Sequence, residues 1–326
     1  MRSWFRTLLL ISVYAGFLAG CTLKYTIKDP PVSNVTYDSI AGKPVVMKVV
    51  DERTNAEFHE KLSGLKRVNV ELVNMDDPVA WLSRELEKEF ASRGVLLKIA
   101  DRDSKNTPDL VLTIKKYQII SRRVSGFSPW EAYHVFRAEV TGGGQTCDIR
   151  AYFFNGKVPM ISMHEVEEPC FNMPMSILVK EIASKINHCS LRYTAGDAKV
   201  SEIRGRAEKK VRSEDDDAYI PVIELGSTNN PAAMSALVTF SDAKERITRA
   251  CALSAIGTLG AQNQVEFLKK KYTEYQKGEI DKFMTLKSIG DIGTPEAVDF
   301  IKKAKDDPQY GSEFGFKYVV DLYLER

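Results

Sequence analysis

The four histidines and five cysteines of this 326-residue chain are its best-suited residues for metal binding or nucleophilic chemistry. His164-Glu165-Val166-Glu167-Glu168 begins as a helical zinc site does. Such a site needs a second histidine four residues on, so that both ligands share one helix face. Glu168 stands there instead, and the segment is expected to finish a strand rather than run along a helix. His188-Cys189 with His164 and Cys170 would make four ligands, but no spacing draws them together, and a packed histidine beside a helix-end cysteine accounts for the pair. Gly142-Gly143-Gly144 lacks the spacing and trailing Lys-Ser/Thr of a phosphate loop and is expected to be a turn. A Gly-x-Ser-x-Gly elbow and an identifiable triad are both missing. The expectation is a protein with no catalytic residues, no metal and no cofactor.

The fifth cysteine carries a different chemistry. Met1 to Arg6 hold two arginines, an apolar run follows from Leu8 to Leu18, and small residues Ala19 and Gly20 precede Cys21. A basic start, a short apolar stretch and small residues at the cut form a secretory signal over residues 1–20, too short for a spanning helix. Leu18-Ala19-Gly20-Cys21 resembles the lipobox of bacterial lipoproteins. That resemblance implies cleavage before Cys21, a diacylglycerol on its thiol and a further acyl chain, such as palmitate, on its new amine. Several chains hold a protein to a bilayer far more firmly than one. Thr22, where enteric inner-membrane lipoproteins carry aspartate, implies the outer membrane, with the protein facing the periplasm. In that oxidising compartment a disulfide is expected. Cys147 and Cys170 flank an expected hairpin and are the favoured partners, which leaves Cys189 unpaired; Cys251 lies in an apolar helical pattern and reads as a small core residue.

These residues need elements to place them. Residues 21–43, with Pro30-Pro31 and no helical period, read as a lipidated tether. An α/β domain is expected over 44–195. It has strands at 44–50, 66–73, 95–99, 109–121, 132–140, 146–154 and 158–164, with Asn155-Gly156-Lys157 as a hairpin turn. Asp76-Asp77-Pro78 caps a first helix bearing Val79, Leu82, Leu86 and Phe90, and Met175 to Cys189 forms a second. A sheet of five or six strands with two covering helices results. Val49-Val50-Asp51-x-Arg53, after the first of these strands, resembles a motif of YajG-type and transport-auxiliary lipoproteins, and Asp51 with Arg53 is expected to form a structural ion pair. Residues 196–216, with Arg204, Arg206, Lys209, Lys210 and Arg212 before Glu214-Asp215-Asp216-Asp217, read as a charged linker or exposed helix.

The C-terminal region, 217–326, repeats. Residues 257–270, Gly-Thr-Leu-Gly-Ala-Gln-Asn-Gln-Val-Glu-Phe-Leu-Lys-Lys, align with 290–303, Gly-Asp-Ile-Gly-Thr-Pro-Glu-Ala-Val-Asp-Phe-Ile-Lys-Lys, at a constant offset. Each unit reads as helix, glycine turn, helix, and resembles a short HEAT-like repeat. The fold class is therefore α+β plus an all-α repeat.

Near-zero net charge gives no case for nucleic acid as partner. Function is expected to be that of a non-catalytic, membrane-anchored envelope lipoprotein, a scaffold or adaptor that binds an envelope protein through its helical repeats. The alternative, implied by the transport-auxiliary resemblance, is an accessory of lipid or lipopolysaccharide transport that holds an apolar ligand between sheet and helix.

Overall fold

Long runs of alternating apolar residues between 110 and 157 build the centre of the protein. The structure is a computed structural model that describes residues 22–38, 40, 42–101, 107–276 and 278–325. Leu18, Ala19, Gly20 and Cys21 lie outside the described residues. The strands are β1 (Leu23–Thr26), β2 (Val45–Asp51), β3 (His59–Ser63), β4 (Val70–Val73), β5 (Leu97–Ile99), β6 (Leu110–Arg123), β7 (Trp130–Gly142) and β8 (Gln145–Lys157). Six form one mixed sheet in the order β5-β2-β6-β7-β8, and β3 shares with β2 the same edge of the long β6. A bulge between Ile114 and Lys116 shifts the alternation of β6 by one residue. Leu110, Leu112 and Ile114 before it, and Tyr117 and Ile119 after it, are all buried as a result.

Helix α1 (Pro78–Ser92) is capped by Asp77, whose side chain accepts from the Ala80 N–H, and Pro78 sits where no N–H partner is needed. Helix α2 (Met173–Ile186) is buried on nearly every side. It packs on β8 and β7 in one direction and on the C-terminal helices in the other. An α+β fold is thus correct, but several expected boundaries are not.

Residues 22–38, most of the expected tether 21–43, are no free tether. β1 pairs in parallel with β4, and Tyr25, Ile27, Val35 and Tyr37 are buried. The Ser33 and Asn34 N–H groups donate to Glu89 and Glu224, and the Tyr37 hydroxyl donates to Ser227 O at 2.9 Å. The period-two spacing of those apolar residues marks a strand-like strap. Asn155-Gly156-Lys157 is no turn either: β8 runs through it, and Lys157 pairs with Trp130. The expected strand at 158–164 is replaced by an open loop and a single 3-10 turn, Met163–Val166, capped reciprocally by Ser162 and Glu165. The span 196–216 holds helix α3 (Asp197–Arg212), with Val200, Ile203 and Ala207 buried on one face.

The C-terminal helices are α4 (Tyr219–Ser227), α5 (Met234–Phe240), α6 (Arg246–Thr258), α7 (Val265–Glu274), α8 (Ile280–Ile292), α9 (Pro295–Lys303), α10 (Pro308–Ser312) and α11 (Phe314–Leu324). The inner helices α4, α6, α8 and α11 pack side by side in that order. The repeated glycines explain how. Gly257 does not end its helix; it lies inside α6, where a Cβ would stand 2.6 Å from the Ser288 Cα of α8. Gly226 meets Ala255 in the same way, at 2.6 Å, and Gly290 meets the Tyr323 ring. The second glycine of each unit, Gly260 or Gly293, takes φ of +67° or +65°, as the chain reversal requires. Sheet and helical units share one continuous apolar core, so 44–195 and 217–326 are parts of a single body.

Candidate binding cleft between the sheet edge and the helical units

α2 is apolar by composition yet carries Lys180, Glu181 and Lys185 into the interior, and these set the chemistry of the junction. Glu181 and Lys185 stand one helical turn apart, as do Lys287 and Asp291 on α8. The two pairs interlock: Lys185 Nζ lies 2.6 Å from Glu181 and 2.5 Å from Asp291, and Lys287 Nζ lies 2.7 Å from Glu181 and 2.8 Å from Asp291. Lys287 is fully buried, and Glu181 and Asp291 nearly so. Lys287 also donates to Ser254 Oγ at 2.7 Å, and the Tyr323 hydroxyl donates to Asp291. Burial alone would push the Asp291 carboxyl up, but Lys185 and Lys287 hold it below the usual carboxylate range. Burial would likewise lower the Lys287 ammonium, and Asp291 and Glu181 raise it instead.

Above this network a cleft of about 290 Å³ opens. Asp148 and Arg150 of β8, Lys185 of α2 and His188 just after it, Thr258, Gln262 and Ile292 from the helical units, and Tyr323 of α11 line it. Arg150 donates to Glu325 O at 2.8 Å and pairs with Asp148 at 2.5 Å, while its buried Nε has no hydrogen-bond partner. His188 is exposed and its Nδ1 lies 2.9 Å from Asn229 Oδ1. Arg150, Lys185 and Gln262 bring donors to the lining and Asp148 and Gln262 bring acceptors, so the cleft carries both.

A disulfide forms one wall, and it is not the one expected. Cys147 pairs with Cys189 and ties β8 to the segment after α2. Cys170 is free and buried, with its Sγ 3.4 Å from Trp130 O. Cys147 is opposite Val140 on β7. Trp130 is ten residues from Val140 along that strand, roughly 33 Å at strand spacing, so Cys147 and Cys170 lie at opposite ends of the sheet.

The other candidate residues sit apart from the cleft. Asp51 and Arg53 form a two-pronged ion pair at the end of β2, with contacts of 2.8 and 2.9 Å, near the start of α1. The Arg53 side chain is nearly buried, its Nη1 has no hydrogen-bond partner, and its pKa is raised by the bond to Asp51. His164 is exposed and packs edge-on to Tyr25. Trp130, Tyr133, Met173 and Met175 are core residues. Burial pushes the His59 and His134 imidazoles down to about 3 and about 4, and the Cys170 thiol up to about 12, so burial favours the uncharged form of each. No group of three or more His, Cys, Asp and Glu placed to hold a metal occurs among the described residues.

A second cleft, of about 620 Å³, lies on the open face of the sheet. Its charges are mutually satisfied: Lys115 with Glu52 at 2.6 Å, Lys116 with Glu325 at 3.5 Å, and Gln118 donating to Glu60 at 3.0 Å.

Sequence reasoning missed the buried ions of α2 and α8. The signal was present as opposite charges four residues apart, Glu181/Lys185 and Lys287/Asp291, in helices rich in apolar residues. Glu89 and Arg93 repeat it beside α2: Arg93, fully buried, binds Glu89 at 2.7 Å, Tyr37 at 2.8 Å and Lys180 O at 3.0 Å.

No protein-family model and no curated protein matches this chain. Among solved structures it is similar to the crystal structure of protein XCC0632 from Xanthomonas campestris, described under the family model DUF330. The identity is 9%, the TM-score 0.31, and the match covers 50% of this chain and 92% of that one. At that TM-score the similarity carries no argument about fold or activity.

Proposed function

We propose that the protein is a non-catalytic lipoprotein of the bacterial cell envelope, held by acyl chains on Cys21, that binds another envelope protein. The observation that carries the reading is the cleft itself: a polar recess in the junction of sheet and helical units, floored by ion pairs that hold both regions in one geometry. The surface differs from that expected of a helical repeat. α4 and α6 pack on α2, and α8 and α11 pack on β8, so the inner helices are covered by the chain's own α/β region. Binding then falls to the cleft, where Arg150, His188 and Gln262 suit a polar polypeptide segment better than a hydrocarbon tail.

The apolar-ligand alternative gains no comparable support. The layer between sheet and α1–α2, where it would place a lipid, is filled by Trp81, Leu82, Phe90, Ile114, Phe136 and Ile182, all buried. Truncating the helical region would expose that core, so a point change is the better test. Gln262→Trp fills the cleft mouth from an exposed position. It is expected to remove a specific envelope protein from the set that co-purifies with the chain, while leaving thermal unfolding unchanged. An identical co-purified set contradicts the reading.

A further inference from the structure

Large apolar side chains at the surface are confined to a few places among the described residues. Of the seven exposed ones, five lie in two loops: Val124 and Phe127 between β6 and β7, and Val158, Met160 and Ile161 after β8. Phe127 is 95% exposed, Ile161 96% and Met160 83%. Folding gains nothing from side chains left so fully in water, and a contiguous exposed apolar patch marks an interaction surface.

The two loops leave the same end of the sheet. Trp130, which opens β7, pairs with Lys157, which closes β8. Arg123 fastens them together: it donates to Gly126 O and to Ser128 O within the first loop, and its Nη1 lies 3.4 Å from the Met163 Sδ that follows the second. A third loop, 64–69, joins them, because Ser63 pairs with Arg123 and the Gly64 N–H donates to Arg123 O at 2.8 Å. It exposes Lys66 and Arg67, and Lys157 is exposed beside the second loop.

The start of the described chain lies at this end as well. Thr22 Oγ1 accepts from Asn69 Nδ2 at 2.7 Å, the Leu23 N–H donates to Asn69 O at 2.8 Å, and the Tyr25 hydroxyl donates to Met163 O at 3.2 Å. Thr22 directly follows Cys21, and the strap after it is packed against the body. A lipid on Cys21 would therefore lie one residue from the 64–69 loop, too short a leash to let the body stand away from the bilayer.

We infer that this end of the sheet is a membrane-contacting face, on which Phe127, Met160 and Ile161 enter the interfacial layer of a bilayer and Lys66, Arg67 and Lys157 meet anionic headgroups. Loop-tip apolar residues flanked by cations suit that boundary, where hydrocarbon is buried and charge stays wet. The orientation rests on the proposed anchor at Cys21, whereas the contact itself rests on the loops. It also sets the geometry of the whole molecule: the sheet end lies on the lipid, and the body is fixed there rather than tethered.

The test places an environment-sensitive nitrobenzoxadiazole probe on Phe127→Cys, on Ile161→Cys and on Ser235→Cys in the full chain. Cys170 and Cys251 are protected by burial, Cys147 and Cys189 are joined, and the parent chain without an added cysteine, treated in the same way, gives the signal of any probe on Cys21 to be subtracted. Ser235 is exposed on α5 and serves as the control. In vesicles of phosphatidylethanolamine and phosphatidylglycerol, probes at 127 and 161 are expected to shift to the blue and to be quenched several-fold more by doxyl-labelled lipid than the probe at 235. Equal quenching at all three sites overturns the inference, and so does a blue shift at 127 and 161 without lipid quenching, which would mean that protein covers the loops. Mass spectrometry of the N-terminal peptide examines the anchor separately: an unacylated Cys21 sinks the anchor and leaves lipid quenching at 127 and 161 to stand or fall alone.

Discussion

Lys287→Met removes one cation from a buried set of two lysines and two carboxylates. Lys287 lies 2.7 Å from Glu181 and 2.8 Å from Asp291. At an effective dielectric near 20, each such contact is worth roughly 6 kcal/mol of attraction. Most of that offsets the cost of taking the ions out of water, and breaking a buried pair by deleting one partner typically loses about 3–5 kcal/mol. The methionine fills similar volume, so the loss reports charge rather than a cavity. Asp291→Asn in addition restores neutrality and keeps an acceptor for the Tyr323 hydroxyl. The double variant is therefore expected to be more stable than the sum of the two losses, by about 1–3 kcal/mol. Urea unfolding followed two ways is the assay: tryptophan emission senses Trp81 and Trp130 in the α/β region, and far-ultraviolet dichroism senses the helices. Both signals should move together to lower urea, because the network lies across the junction. A loss under about 1 kcal/mol, or two transitions that separate only in the variant, refutes the reasoning.

Other consequences can be measured as directly. Non-reducing peptide mapping should find Cys147 joined to Cys189, and replacing both by serine should cost about 4 kcal/mol for the 42-residue separation on the chain-entropy account. Gly257→Val should cost about 1–3 kcal/mol, since its Cβ meets Ser288, whereas Gly205→Ala, with open space around it inside α3, should gain about 0.5–1 kcal/mol in thermal unfolding. Acid should act in two stages. His59 and His134 are lowered from 6.5 to about 3 and about 4, so the unfolded chain takes up their protons first and stability falls below about pH 6.5. Asp291, depressed in the folded state, contributes stability above its unfolded value near 3.8 that is lost as pH falls towards its folded value. His134→Gln should reduce the upper stage to the part due to His59, and Asp291→Asn should reduce the lower, in pH-dependent urea titrations. Cys21→Ser should shift the chain out of the acylated membrane fraction, as read by labelled palmitate.

Much of the fold could be read in the sequence, and the misses share a physical cause. Period-two and helical spacing placed β6, β7, β8, α1 and α2, where each apolar face is fixed by its own run of residues. The glycine repeat also showed two like helical units, but Gly257 and Gly290, read as turn residues, lie inside their helices at close contacts, and only Gly260 and Gly293 make the reversals. Local pattern could not show that Tyr25, Ile27, Val35 and Tyr37 would be covered, because their partners lie far along the chain: Trp130 and Phe171 pack on Tyr25, and Arg93 and Ser227 bind the Tyr37 hydroxyl. Asn155-Gly156 carried a strong turn signal, but Trp130 across the strand and the Asn155 bond to Pro169 O at 3.0 Å keep β8 extended. The disulfide was misassigned for the same reason: Cys189 comes to Cys147 only because α2 lies along the sheet. The cleft was the least legible feature, since five separate elements contribute to it. Its one local trace was the pair of opposite charges set a helical turn apart in α2 and again in α8.

Photo-crosslinking in living cells tests the central claim most directly. With a photoreactive residue at Gln262, at the mouth of the cleft, and another at the exposed control Ser235, each on the otherwise native chain, a binding platform predicts one discrete adduct with an envelope protein from position 262 alone. No adduct at 262, or the same adduct at both positions, would contradict it.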